Sequence, residues 1–428
     1  MAPMHSDAWD LPVTTSSARA LDHYDRGTRG LLGWEASAFD EFQASIREDP
    51  GLAVAHAGAA VCLFLEERFA EARTAADAAR AVVTGASPRE RTHVEAMALL
   101  VSGKPPDAER AMKEHLAAFP RDLAVLQRLY FIWFWQGRFP EMVEFTTAIA
   151  PHYEGAPFFH GLHAFALEQA NRCDEALRVA EATIERDVRD PWAVHAFAHA
   201  LYEQAAFDTG ITRLPPATHR CTGLNWFHNH LVWHLALMHF AKGDFDRASS
   251  IGRQAFERAP STIPGDLHDS ISLLWRLTLV GRDVRERWAP FVDIARQRLD
   301  RQGLLFHAAH LAMALAGGGD WATAEQQLGM LRERAPKDRT GLVGGVLVPL
   351  VEGIHGFAGG DWRKAIDRLE PLRGRIVELG GSRAQRDVFH DTFLEACFRA
   401  GDGDRAQRYL AERVVRRFDP YWVARKVV

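Results

Sequence analysis

A six-residue pattern returns eleven times along this chain, and its spacing limits the folds open to it. Each copy begins with a turn-forming residue, continues through variable positions that often include an aromatic, and usually ends in Ala. The copies are GWEASA at 33, ERFAEA at 67, GKPPDA at 103, GRFPEM at 137, NRCDEA at 171, a weaker AAFDTG at 205, GDFDRA at 243, GRDVRE at 281, GDWATA at 319, GDWRKA at 360 and GDGDRA at 401. Successive starts are 34, 36, 34, 34, 34, 38, 38, 38, 41 and 41 residues apart. So regular a period marks a chain built from one supersecondary unit used repeatedly.

The unit reads as two helices joined by a tight turn. An apolar stretch precedes each copy, as in VLQRLYFIWFWQ before Gly137, and an amphipathic one follows, as in DRASSIGRQAFERAP after Phe245. Gly just past the first helix suits a left-handed C-cap, and the Asp that often follows can cap the second helix. The closing small residue lets the two helices approach. Several second helices end in Pro, at 48–50, 118–120, 258–260 and 334–336, where a helix interior cannot continue. The pattern resembles the tetratricopeptide repeat. It predicts an all-α chain: an α-solenoid of about eleven helical hairpins, forming a right-handed superhelix around a central cavity and lined by the first helices. The whole of 1–428 is read as one domain, with 1–16 a flexible N-terminal segment. Residues 205–223, which carry Pro215 and Pro216, are read as an irregular loop that interrupts the repeat and covers a pocket.

Composition narrows the function. A net charge of −5 and a pI near 6.5 give no basic face for nucleic acid or an anionic membrane. The run at 413–418 reads as a solvated helix face. No secretory leader is visible at the N-terminus, and the most apolar stretch, near 341–360, is broken by Glu352, His355 and several glycines. Cys62, Cys173, Cys221 and Cys397 are far apart, which suits a reducing compartment. The expectation is a soluble, cytoplasmic protein without nucleic-acid or membrane partners.

Of the twenty histidines, all but His5, His115, His152 and His219 fall on expected first helices. The densest group lies mid-chain. His195 and His199 share one helix face, and His230 and His234 repeat that spacing, whereas His228 and His239 point elsewhere. Three readings of the two pairs stand together: ligands for zinc or another divalent metal, acid–base groups, or core imidazoles packed on tryptophan. HAFAH at 195–199 lacks the Glu of a zinc-protease motif. Trp192, Trp226 and Trp233 are read as core. Polar residues on other first helices also need partners. Asp269 and Arg276 share a face of LHDSISLLWRL, and Arg383, Gln385, Arg386 and Asp387 open the last first helix. They form either interhelical ion pairs or a rim that grips a polar small molecule.

RERTHVEAMALLVSGK (89–104), AVHAFAHALYEQ (193–204), HNHLVWHLALMHFAKGDFDRA (228–248), LHDSISLLWRL and GGSRAQRDVF (380–389) together resemble the tetratricopeptide repeat protein 38 family over nearly the whole chain. The resemblance implies a helical-repeat fold and points to the same central histidines, but supplies no catalytic residues. Two functional expectations follow. In the first, a closed pocket binds a small polar molecule and performs hydrolase-, lyase- or isomerase-type chemistry. His195, His199, His230 and His234 act there as acid–base or metal-binding groups, while His228, Asp269, Arg276, Arg386 and Asp387 hold the substrate. No cofactor fingerprint is present, and a divalent metal is the one inorganic group the residues suggest. In the second, the chain is a non-catalytic scaffold that takes a peptide or protein partner in its groove. Exposed first-helix faces would also serve a homodimer.

Overall fold

The computed structural model describes residues 3–187, 189–257 and 260–425. Eleven helix pairs follow one another. They begin with α1 (Ala18–Gly33) and α2 (Ala38–Glu48), α3 (Ala53–Leu65) and α4 (Phe69–Val82), α5 (Pro88–Val101) and α6 (Pro105–Ala118), α7 (Leu123–Phe134) and α8 (Phe139–Ile149). The middle pairs are α9 (Phe159–Gln169) and α10 (Cys173–Arg186), α11 (Pro191–Glu203) and α12 (Phe207–Arg220), α13 (Phe227–Ala241) and α14 (Phe245–Ala255). The last are α15 (Pro264–Leu279) and α16 (Ala289–Gln297), α17 (Leu305–Gly317) and α18 (Trp321–Arg334), α19 (Val348–Ala358) and α20 (Trp362–Leu369), α21 (Arg383–Arg399) and α22 (Gly403–Arg416). A short α23 (Pro420–Ala424) follows. The chain is an all-α array of helical hairpins.

The turn inside each pair explains the sequence period. One residue in every turn is left-handed: Trp34, Glu67, Gly103, Gly137, Asn171, Ala205, Gly243, Gly281, Gly319, Gly360 and Gly401. Glycine takes that conformation without steric cost, so it recurs at the start of the pattern. Downstream, the side chains of Asp244, Asp320, Asp361 and Asp402 accept from backbone N–H groups three residues on and cap α14, α18, α20 and α22. Ala72, Ala108, Ala176, Ala248, Ala324, Ala365 and Ala406, at the closing position, are fully buried between helices. Pro50 and Pro120 lie just beyond α2 and α6, and Pro336 beyond α18. The fourth such terminus cannot be placed, because Arg258 and Ala259 lie outside the described residues.

Odd and even helices have different surroundings. Every residue of α11 is buried, whereas α14 buries only Ala248, Ser249, Ile251 and Gly252. The array also curls until distant odd helices meet. Trp192 Nε1 and Gln127 Nε2 both donate to the Leu32 carbonyl, at 2.8 and 3.0 Å. Trp275 Nε1 donates to Thr392 Oγ1 at 2.8 Å, and Arg383 Nη2 to the Gln169 carbonyl at 3.1 Å. Gly380 lies against the Trp135 backbone, where a Cβ would come within 2.7 Å.

These contacts correct the expectation of a central cavity at the histidines. The space between odd helices is filled by Trp192, Trp233, Trp275 and their neighbours, and large aromatics that interdigitate at interior density leave little room. The two larger openings described lie at the surface. One, of about 350 Å³, is lined by Trp135, Gly303 and Leu305; the other, of about 530 Å³, by Gln302, Met330 and Arg334. None of the four central histidines lines either.

Two further segments differ from expectation. Residues 207–220 form α12 despite Pro215 and Pro216, and not an irregular loop. Both prolines face solvent, where water can satisfy the carbonyls they free, while Phe207, Gly210, Leu214, Ala217 and Thr218 hold the opposite face in the core. The N-terminal segment is not a loose tail: Met4–Ser6 pairs antiparallel with Pro12–Thr14. Trp9, Leu11 and Val13 bury alternate side chains beneath it, and Thr14 donates through its N–H and Oγ1 to Glu90. Met1 and Ala2 lie outside the described residues.

Candidate metal centre

Two neighbouring odd helices bring their histidine pairs face to face. His195 and His199 are one turn apart on α11, and His230 and His234 one turn apart on α13, so each helix offers two imidazoles to the seam. Ring centroids are 4.3 Å apart for His199 and His234, 4.5 Å for His195 and His199, and 4.9 Å for His195 and His230. One nitrogen of each of the four rings lies within 4.8 Å of the corresponding atom of the others. Phe165, Phe227 and Trp233 enclose the group. His199 and His234 are 0% exposed, His195 3% and His230 6%. His228 is exposed, and His239 reaches Asp244 at 3.0 Å on another face of α13, as the spacing predicts.

The hydrogen bonds fix part of the protonation pattern. Asp269 on α15 accepts from His230 Nδ1 at 2.8 Å, which places a proton on Nδ1. His230 Nε2 faces His195 Nε2 at 3.0 Å. Beyond this, both nitrogens of His199, both of His234 and Nδ1 of His195 are buried without a hydrogen-bond partner. Each such group costs about 1–3 kcal/mol, and five together would approach the net stability of a folded domain. Burial holds His195, His199 and His234 well below the usual imidazole range, with neighbouring imidazoles adding to the effect. They are neutral rings with free lone pairs.

Carboxylates back the rings. Burial pushes Asp269 above the ordinary carboxylate range, against the opposing pull of His230. Glu168 on α9 is fully buried, with Oε2 3.5 Å from His199 Nδ1. Burial, reinforced by Glu203, raises its pKa to about 7. Asp266, one turn before Asp269, is raised by burial to about 6. Glu168 and Asp266 were not among the residues expected at the site. Glu168 carries the same signal that marked Asp269, a lone acid in an otherwise apolar first helix, FHGLHAFALEQ.

The remaining expected residues lie elsewhere. Arg276 donates to the Ala384 carbonyl at 2.8 Å, stands 3.6 Å from Asp391 and lies over the Trp233 ring. Arg386 is buried against the Phe139 ring and donates to the Gly381 carbonyl. Asp387 accepts from Arg416 and Arg417 at 2.8 and 2.6 Å. Arg276 and Asp387 form interhelical ties, whereas the Arg386 hydrogen bond stays within the segment that opens α21. The ties fasten α21 and the C-terminal residues to α15 and α11, with Arg417 also reaching Glu203 at 2.9 Å.

Four buried imidazoles that converge match what zinc and its first-row neighbours bind, and not the oxygen shell of Mg²⁺ or Ca²⁺. In a tetrahedral shell with bonds of about 2.0–2.1 Å the donors stand about 3.3 Å apart, so small rotations of the rings close the set. His230 backed by Asp269 has the carboxylate–histidine arrangement that orients metal ligands.

No family model matches the chain. Among solved structures it is similar to a chain in "Structure of Naa15/Naa10 bound to HypK-THB", at 11% identity and a TM-score of 0.27, covering 92% of this chain and 68% of that one. It is also similar to the P58(IPK) TPR domain, at 13% identity and a TM-score of 0.22, covering 92% of this chain and 99% of that one. Superpositions this loose leave the fold resting on the helices themselves.

Proposed function

We propose that this helical-repeat protein holds one divalent transition-metal ion, zinc by preference, in a dry shell made by His195, His199, His230 and His234. The supporting observation is the convergence of one nitrogen from each of four buried rings, three of which carry buried nitrogens without hydrogen-bond partners. An ion would take one lone pair from each ring, and Asp269 and Glu168 behind the shell would balance its charge. With four protein ligands and neither of the two described openings lined by them, the shell leaves no position for substrate, so the ion's role is to tie α11 to α13. Acid–base chemistry on a small molecule fits less well, because no described opening reaches the rings and their lone pairs lie far from water.

The test is metal content by mass spectrometry of the purified, untagged chain, before and after dialysis against Zn²⁺. One ion per chain is expected, and its absence in both samples defeats the proposal. We further propose that the chain belongs to the tetratricopeptide repeat protein 38 family and works in a reducing cytoplasm, where its four free cysteines would persist as thiols. Among the described residues, no helix is long and apolar enough to cross a membrane.

A second reading, a scaffold for a protein partner or a second copy of the chain, has its own observation. Val414, Val415, Phe418 and Val423 are exposed near the C-terminal end, with Val415 at 89%. Sedimentation of wild type against Val415→Asp tests it: a dimer or complex that dissociates in the variant supports the surface.

A further inference from the structure

A buried charge needs a counter-charge, and one guanidinium in the interior lacks one. Arg128 stands in the middle of α7 and is fully buried. The other arginines buried as deeply, Arg89, Arg276 and Arg417, each lie within 3.6 Å of a carboxylate oxygen. Among the described residues, no carboxylate forms an ion pair with Arg128. Its Nη2 donates to Gln127 Oε1, next along the helix, while Nε and Nη1 are buried without a partner. Burial pulls Arg128 down to about 10, which leaves it a cation at neutral pH. Cys62, an ionisable neighbour, supplies no charge in return, because burial pushes its thiol up to about 12.

The surroundings add donors and no anion. The Trp34 ring lies 5.9 Å from the guanidinium carbon and the Phe131 ring 5.2 Å. Trp34 Nε1 is itself buried without a partner. The indole is held in place, since the Trp34 carbonyl accepts from the Asn225 N–H at 2.9 Å and the Trp226 ring packs edge-on 5.0 Å away. Gln127 is committed as well, with its Nε2 on the Leu32 carbonyl at 3.0 Å. Phe131 is partly exposed, so one wall of the group reaches the surface.

We propose that Arg128 and Trp34 form a binding site for a small oxyanion, a carboxylate or a phosphate group. Water can satisfy N–H groups, but only an anion also cancels the charge, and an uncompensated buried charge is among the most costly things a fold can hold. The planar N–H array of arginine matches the oxygens of carboxylate and phosphate, and the indole N–H supplies a further donor. The aromatic faces on the guanidinium exclude water, which strengthens each of these bonds, and they confine the ligand to a small group.

Two readouts on the full-length chain test the site. The first is native mass spectrometry of the protein as purified. The second is thermal unfolding with acetate or inorganic phosphate, each compared with chloride at the same ionic strength. Wild type should either carry a co-purified anion or gain about 3 °C or more in midpoint from one of the two probes. The acetate and phosphate arms tell a carboxylate ligand from a phosphate. Arg128→Met should lose both the added mass and the shift. Should that variant fail to fold, Trp34→Phe keeps the test, because loss of one donor should weaken the probe about tenfold. Wild type with neither a bound anion nor a shift overturns the proposal. So does a response no larger than that to chloride, the mark of an adventitious ion only, or a shift that persists in Arg128→Met or is undiminished in Trp34→Phe.

Discussion

Where α5, α6 and α7 meet, His93 Nδ1 and His115 Nε2 both contact Asp122 Oδ2, at 2.9 and 3.0 Å, and Arg89 Nη2 joins the same oxygen at 2.8 Å. Thr92 Oγ1 contacts the second nitrogen of His115 at 2.7 Å. Where α11 meets α13, four imidazoles converge with Asp269 and Glu168 behind them and five nitrogens unpartnered. Both clusters are buried, and both bring metal-ligand residue types within 4.8 Å. They differ in what they still need. In the first, neither imidazole has a buried nitrogen lacking a partner, though Arg89 Nη1 has none, and Arg89 neutralises the carboxylate a cation would seek. The second keeps buried imidazole nitrogens without partners and, under the proposed reading, offers one nitrogen of each ring to a Lewis acid. Proximity of ligands therefore does not define a metal centre; unsatisfied lone pairs without a competing cation do.

The largest effect expected is on metal content. His199→Ala combined with His234→Ala should take the bound ion from about one per chain to below a tenth, while His93→Ala with His115→Ala should leave it unchanged. Loss in the second variant would erase the distinction. The first cluster should instead show itself in stability. Asp122→Asn leaves Arg89 buried without its main counter-charge and should cost about 3–5 kcal/mol in denaturant unfolding, with metal content intact.

Acid should affect the chain through the neutral imidazoles. The folded-state pKa of His195, His199 and His234 lies well below 6.5. As pH falls below about 6.5, therefore, the unfolded chain takes up protons that the fold refuses. The stability of the metal-free chain is then full above that pH and declines below it, by about 1.4 kcal/mol per pH unit for each such ring. Any stabilisation by added Zn²⁺ should shrink over the same range, since protons compete for the lone pairs. Urea titrations at pH 7.5, 6 and 5, with and without Zn²⁺, check both. The smallest effect is Asp269→Asn, which should weaken affinity about 10–100-fold by releasing the His230 ring, measured by competition with a chromophoric chelator.

Much of the fold was legible because one physical demand recurs. Every turn needs a left-handed residue and a small contact residue, and those leave a period in the sequence even where Glu67 or Ala205 replaces glycine. The two histidine pairs were legible for a similar reason, since a spacing of four sets two side chains on one helix face. That the pairs face each other depends on how adjacent hairpins stack, which no local spacing encodes. Arg276 and Asp387 stand out in the sequence because their helices are apolar, and in the fold they bond α15 to α21 and α21 to the C-terminal residues. Glu168 was passed over although it carries the same mark. The α12 prolines misled because their solvent-facing position depends on a buried face contributed by Leu214 and Ala217. Period alone does not tell how far side chains fill the space a superhelix encloses.

The most direct test of the central claim is X-ray absorption at the metal edge of the Zn²⁺-loaded, untagged chain. Four nitrogen neighbours at about 2.0–2.1 Å, with the outer-shell scattering of imidazole, is the predicted result, and that signal should vanish from the His199→Ala, His234→Ala variant. An oxygen-rich or six-coordinate shell, or the same spectrum in wild type and variant, would contradict it.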